Sequence, residues 1–181
     1  YQVALEIALG ASSQNIIVQN KEAATRAIDF LKKNRLGRAT FLPLTTIKAR
    51  QLSEHNFSKI KESRGFLGIA SSLVRHEASL DTIFQNLLGT TAVFDTIENA
   101  RVAAGRVRYQ VRIVTLDGTE LRTGGSYAGG ANKNSNTIFI KPELEALSEQ
   151  INQKTKELKE KELQVESLQT KLNQAKHQTH P

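Results

Sequence analysis

The chain contains no cysteine, no tryptophan and no methionine, and only three prolines among its 181 residues. Without cysteine there is no disulfide framework and no thiolate metal site, which favours a reducing compartment. Phe, Tyr and Trp together make up 6%, so platforms for stacking single-stranded bases are few. No apolar run approaches the roughly 18–20 residues needed to span a bilayer, and no signal peptide opens the chain. The expected setting is cytoplasmic, with no membrane partner. Because methionine is absent and Tyr1 comes first, the chain is expected to be a piece of something longer.

Catalytic constellations are also missing. His55, His76, His177 and His180 are scattered, and none stands at ligand spacing from another on a helix. His76 beside Glu77 reads as a solvated surface pair. No Ser–His–Asp or paired-carboxylate arrangement stands out. No catalytic residue, metal site or cofactor is therefore expected.

What the chain does have is an uneven excess of positive charge. The formal net charge is +7; residues 1–140 hold 18 Lys+Arg against 11 Asp+Glu, and residues 141–181 hold 7 against 7. All of the excess lies in the first segment. Such a field suits an acidic partner such as nucleic acid, although charge alone reads equally well as an ordinary basic surface.

The two segments also differ in period. From Pro142 onward, Glu, Lys, Gln and Leu dominate and glycine is absent. With Leu144 at heptad position a, that series continues Ile151, Leu158, Val165, Leu172, while position d reads Leu147, Lys154, Lys161, Leu168, Ala175. A complete a seam over five heptads predicts a coiled-coil helix. Lysines at two d positions disfavour a parallel homodimer and favour an antiparallel partner of different sequence. The expected organisation is a domain over 1–140, built from two subdomains, followed by an outgoing helix over 141–181.

Residues 1–140 read as mixed α/β. A short helix closes at Gly10. A strand "NIIVQ" precedes a helix capped by Asn20, with Gly37 just past its end. "ATFLPL" is a strand with Pro43 marking its edge or end. A partly helical basic stretch, residues 45–64, and a short buried strand "GFLGIA" follow. A helix "LDTIFQNLL" stopping at Gly89 and a strand "TAVF" come next. Asp95 and Glu98 form a capping box for a helix ending at Gly105. In "RVRYQVRIVTLDGTELR", Val107, Tyr109, Val111 and Ile113 alternate with Arg106, Arg108, Gln110 and Arg112, which predicts a strand with arginines on one face. Asp117-Gly118 signals a type I′ hairpin. A polar loop "ANKNSN" and a strand "TIFI" close the segment.

Between them lies "GGSYAGG", residues 124–130, with four glycines in seven positions. Gly125 and Gly130 have the spacing of a Walker loop, but Ala131-Asn132 follow instead of Gly-Lys-Ser/Thr. The dinucleotide spacing is not met, and no helix opens directly after the cluster. Two readings stay open: a plain hairpin loop, or a segment whose missing Cβ atoms let another backbone lie close.

"GRATFLPL", "LLGTTAVFDTIENA" and "VRIVTLDGTELRTGGSYAGG", in that order and leading into a Lys/Glu coiled coil, closely resemble the hinge domain of SMC (structural maintenance of chromosomes) proteins, most of all the bacterial chromosome-condensation type. The resemblance implies an α+β hinge-like domain followed by a long coiled-coil helix. It implies a homodimer in which Gly124, Gly125, Ser126, Gly129 and Gly130 lie at the subunit contact. It also implies that the outgoing helix pairs with an antiparallel helix of its own longer chain, and that ATPase heads lie elsewhere in that chain. Family members bind DNA through basic hinge surfaces, which draws attention to Lys32, Lys33, Arg50 and Lys133 beside Arg106, Arg108 and Arg112. The implied DNA binding is weak and sequence-independent, in a protein of the bacterial nucleoid. Family hinges begin with an incoming coiled coil and a further stretch before the position of Tyr1. The alternatives are a DNA-binding module whose dimerisation is incidental, and a coiled-coil protein with an ordinary α/β cap.

Overall fold

The computed structural model describes residues 1–131 and 140–179, side chains of 140–143 excepted, and falls into two compact units, Tyr1–Asn136 and Thr137–Pro181. The first unit opens with α1 (Gln2–Leu9), which Gly10 closes at φ 52°. A parallel pair follows: β1 (Ile16–Val18), α2 (Lys21–Asn34) and β2 (Phe41–Pro43), with Ile16 opposite Phe41 and Val18 opposite Pro43. Asn20 caps α2 by accepting a hydrogen bond from the Ala23 amide at 2.8 Å. The left-handed residue at the other end is Arg35 (φ 54°), two positions before the expected glycine. Its amide donates to the Leu31 and Lys32 carbonyls. Pro43 is the last strand residue, and its carbonyl accepts from Thr46 and Ile47 in the turn that follows.

The larger sheet has the order β3-β4-β5-β6-β7. Its strands are β3 (Phe66–Ile69), β4 (Thr91–Phe94), β5 (Arg112–Thr115), β6 (Glu120–Leu121) and β7 (Tyr127–Ala128). Only β4 and β5 run parallel, and α5 (Ile97–Arg106) makes the crossover between them. α5 presents Ala100, Ala103 and Ala104, all fully buried, so a small-residue face lies on the sheet. Beneath it Ala92, Phe94, Ile113 and Leu121 form the centre of the core, together with Ile60 from α3 (Glu54–Lys61). Each large apolar side chain fully buried there is worth about 1.5–3 kcal/mol. α4 (Asp81–Leu88) stops at Gly89, where a Cβ would lie 2.0 Å from the Arg50 carbonyl oxygen. That glycine is required by close backbone approach.

Arg112 fastens α1 to this sheet. Its guanidinium donates to the Ala8 and Ile7 carbonyls at 2.6 and 3.0 Å and to Glu120 at 2.9 Å. Burial alone would push the Glu120 carboxyl up, but hydrogen bonds and charge from Arg112 and Arg122 outweigh it and hold the carboxyl below its ordinary value.

The structure corrects several local expectations. The strand expected from Arg106 begins only at Arg112. Arg106 ends α5, and Arg108 (φ 52°) and Tyr109 (φ 56°) turn left-handed after it. Val107, Val111 and Ile113 are nevertheless buried, so alternate burial is present without extended backbone. The β5–β6 hairpin is not type I′. Its loop has three residues, 116–118, and only Gly118 has positive φ, whereas type I′ needs two such residues. The cap of α5 is Thr96, which accepts from the Asn99 amide, while Asp95 accepts from the Thr96 amide and the Asn99 side chain. That helix also runs through Gly105 rather than ending there. β3 is half-buried rather than buried. Of the polar loop and the last expected strand, residues 132–139 lie outside the described residues, and Ile140 is already helical.

The second unit carries α6 (Ile140–Gln178), 39 residues long, or about 58 Å at 1.5 Å per residue. Leu144, Ile151, Leu158, Val165 and Leu172 are all exposed along it.

Candidate functional site

The glycine-rich segment is more than a loop, because it contains a strand. The amide of Gly125 donates to the Arg122 carbonyl at 3.1 Å, closing a tight turn in which Gly124 (φ 88°) takes the third position. Only a residue tolerant of positive φ suits that place. Gly125 (φ 98°) keeps the chain in the same region before β7 returns along β6, with Leu121 opposite Tyr127 and Glu120 opposite Ala128. Gly130 (φ 117°) turns the chain away again.

Contacts within the subunit account for only part of this composition. Among the described residues a Cβ at Gly124 or Gly130 would meet nothing within 4 Å, and one at Gly129 would lie 3.4 Å from Thr119 Oγ1. The outer surfaces of Gly124 and Gly130 are thus open. β7 is the last strand of its sheet, so its outer edge has no partner among the described residues. Arg122 and Ser126 form a hydrogen-bonded pair (2.8 Å), so by the alternation of an antiparallel ladder Tyr127 turns its backbone N–H and C=O outward. The opposite edge, β3, is interrupted by a bulge between Phe66 and Gly68, a feature that blunts edge pairing. β7 has no bulge, proline or charge.

Two contacts hold this edge in place. The Gly124 amide donates to the Tyr109 carbonyl at 2.9 Å, and the hydroxyls of Tyr109 and Tyr127 lie 2.7 Å apart with their rings edge to face. The Tyr127 hydrogen bond, then burial, raises the Tyr109 phenol above its ordinary pKa. No local pattern signals this tyrosine pair, since its members lie 18 positions apart in different elements.

The basic candidates do not converge. Lys32 and Lys33 are exposed in the last turn of α2, and Arg50 is exposed on the segment beside α4. Lys133 lies outside the described residues. Arg106 donates to Ser63 Oγ at 2.9 Å, Arg108 projects from the left-handed bend, and Arg112 is engaged inside the fold. The arginine face expected for residues 106–112 therefore does not form, because the chain bends at Arg108 instead of extending. Arg106 and Arg108 do line one cleft with His55 and Lys59 of α3. The i, i+4 spacing of those two residues was the only available signal for it.

Among the described residues no group of acidic or histidine side chains could hold a metal ion, and no helix is long and apolar enough to cross a membrane. His76 joins Asp81 (2.9 Å) and stacks on Phe84 rather than pairing with Glu77. What the described residues present is a strand edge unpaired among them, exposed cations and one cleft lined by basic side chains.

The family model for the SMC proteins flexible hinge domain matches residues 1–104. The chromosome partition protein Smc of Bacillus subtilis (strain 168) is 38% identical over 177 residues, covering 98% of this chain and 14% of that protein. This chain thus spans about one seventh of such a relative. Among solved structures, an asymmetric dimer of the Geobacillus stearothermophilus SMC hinge domain superimposes with TM-score 0.74 at 40% identity, over 84% of this chain and 62% of that one. The Pyrococcus furiosus Smc hinge domain with an extended coiled coil gives TM-score 0.59 at 27% identity, over 93% of this chain and 58% of that one.

Proposed function

The chain belongs to the SMC flexible hinge family, and from that premise we propose that it joins two copies of a chromosome-partition protein through the β7 edge and its flanking glycines. The observation that carries this reading is the edge at Tyr127, unpaired among the described residues and bordered by glycines, Gly124 and Gly130, whose outer surfaces meet none of them. A partner strand can use the outward N–H and C=O of Tyr127 while its backbone passes close to Gly124, Gly125, Ser126, Gly129 and Gly130. The Geobacillus relative, described as an asymmetric dimer, supports dimerisation. The exposed seam of α6 suits an antiparallel helix from elsewhere in the longer chain, in keeping with the extended coiled coil of the Pyrococcus relative. ATP hydrolysis belongs to other parts of the whole protein, which acts in the cytoplasm at the nucleoid.

Weak, sequence-independent DNA binding is the second part of the proposal. It rests on the net charge of +7 and on exposed Lys32, Lys33 and Arg50, which would act on phosphates rather than bases.

Light scattering tests the first part. This chain is expected to have the mass of a dimer, and Gly129→Arg, at a position without positive φ, that of a monomer with unchanged circular dichroism. A folded variant that stays dimeric moves the contact elsewhere and overturns the assignment.

A further inference from the structure

Basic side chains from two separate elements meet in one cleft of about 380 Å³. α3 contributes His55 and Lys59, one turn apart on the same helix face, with Asn56 beside them. The end of α5 and the bend after it contribute Arg106, Arg108 and Gln110. No aspartate or glutamate lines the cleft. Among the described residues the carboxylate paired with a lining cation is Glu62, 3.8 Å from the Arg106 guanidinium and 72% exposed, where solvent screens it. The two walls are loosely tied together. Lys59 Nζ donates to the Arg106 carbonyl and Asn56 Nδ2 to Gln110 Oε1, both at 3.4 Å.

The backbone at Arg108 is a second, independent observation. α5 closes with a Schellman pair of bonds: the Tyr109 amide donates to the Ala104 carbonyl at 2.9 Å and the Arg108 amide to the Gly105 carbonyl at 3.1 Å. In such a pair the donor of the bond that spans fewer residues, the first residue past the helix cap, is left-handed, and glycine meets that need without strain. Here the position is held by Arg108 at φ 52°. Its guanidinium joins none of the ion pairs among the described residues. The fold thus tolerates steric strain to keep a charge that no partner among the described residues uses, the pattern expected of a binding residue.

We propose that this cleft binds a phosphate group, carried either by the phosphodiester backbone of a nucleic acid or by a free polyphosphate. Arg108 would supply the planar guanidinium fork, with Lys59 and Arg106 adding positive charge from either side. Contacts of this kind read no base sequence. With nucleic acid as the source, the cleft deepens the DNA-binding reading above and rests on it. Tyr109 follows Arg108 directly and holds Tyr127 of β7, so the cleft adjoins the proposed subunit edge.

Arg108→Gly tests the proposal, because it removes the guanidinium and relieves the left-handed backbone together. The variant should unfold at the same temperature as the parent or higher. Pyrophosphate titrated into the parent should shift the backbone amide resonances of Lys59 and residues 106–110, and Arg108→Gly should bind it about tenfold more weakly, the loss of one charge-assisted contact. Lys59→Gln, on a separate element, should weaken it in the same direction. A labelled oligonucleotide then separates the sources. Weaker binding of both ligands by Arg108→Gly assigns the cleft to the nucleic-acid backbone. Pyrophosphate binding lost in Arg108→Gly, from a parent that ignores the oligonucleotide, keeps the phosphate cleft and removes the DNA reading. Equal pyrophosphate affinity in the parent and both variants overturns the cleft, and a loss of oligonucleotide binding on charge reversal of Lys32 and Lys33 would then leave the DNA reading standing alone.

Discussion

Ile113 and Leu121 of the large sheet are wholly buried, whereas Ile151 and Leu158 of α6 are 64% and 60% exposed. The same residue types thus meet opposite fates in the two units. In the sheet, α5 and strands from distant parts of the sequence close over the apolar side chains, and burial supplies the stability. In α6, backbone hydrogen bonds are all local, and they hold a helix whose apolar stripe stays open. A helix in that state is marginal on its own account. The contrast teaches that one unit carries its own core, while the other leaves its apolar seam uncovered among the described residues. β7 is an intermediate case: its inner edge is paired with β6, and its outer edge has no partner among the described residues.

The largest expected effect breaks the comparison on the buried side. Phe94 is fully buried and packs against Phe66 with ring centroids 5.8 Å apart. Phe94→Ala should cost about 3–5 kcal/mol, read from urea denaturation. A loss under about 1 kcal/mol would mean that the sheet is not the stabilising core.

A smaller effect is expected where polar contacts close the same unit. Arg112→Ala should cost about 2 kcal/mol, because it leaves Glu120 with Arg122 alone and frees the α1 carbonyls. The same cluster sets a pH dependence. The Glu120 carboxyl is held below its ordinary value of 4.5 in the fold, so its contribution is fully present above that value. It is lost as pH falls through the lower folded value, when the carboxyl takes up a proton. Stability measured from pH 6 down toward pH 3 should therefore fall less steeply in Glu120→Gln. Parallel curves for the two proteins would place the acid sensitivity elsewhere.

The smallest effect sharpens the comparison from the exposed side. Leu158→Ala should change the stability of this chain by no more than about 0.5 kcal/mol, since the side chain loses little burial. The same substitution should weaken pairing with an antiparallel partner helix, read by circular dichroism of the mixture. A large effect on the chain alone would show that α6 already has a partner.

Much of the local structure was legible in the residues themselves. Asn20 and Gly10 mark helix ends through interactions confined to a few neighbouring residues, and both act as expected. The heptad seam of α6 was legible for the same reason. Residues 106–111 were not. Alternate burial of Val107, Tyr109 and Val111 is the mark of a strand, but a Schellman turn leading into β5 buries the same positions. Choosing between the two requires knowing where α5 ends against the sheet. The glycine segment was legible in composition and in family resemblance, yet the strand inside it depends on pairing with β6.

The sequence by itself determined what short-range physics controls: the split between a basic α/β part and a neutral heptad helix, most helix boundaries, and the family. Tertiary structure alone decided which arginine is used inside the fold and which is left outside. Arg112 reaches carbonyls more than 100 positions away in sequence, while Arg108 is turned outward by a bend in which it and Tyr109 are both left-handed. The side chains are chemically the same, so composition and spacing cannot separate them. Their environments differ because hydrogen-bond partners are assigned only when α1, α5 and the sheet come together.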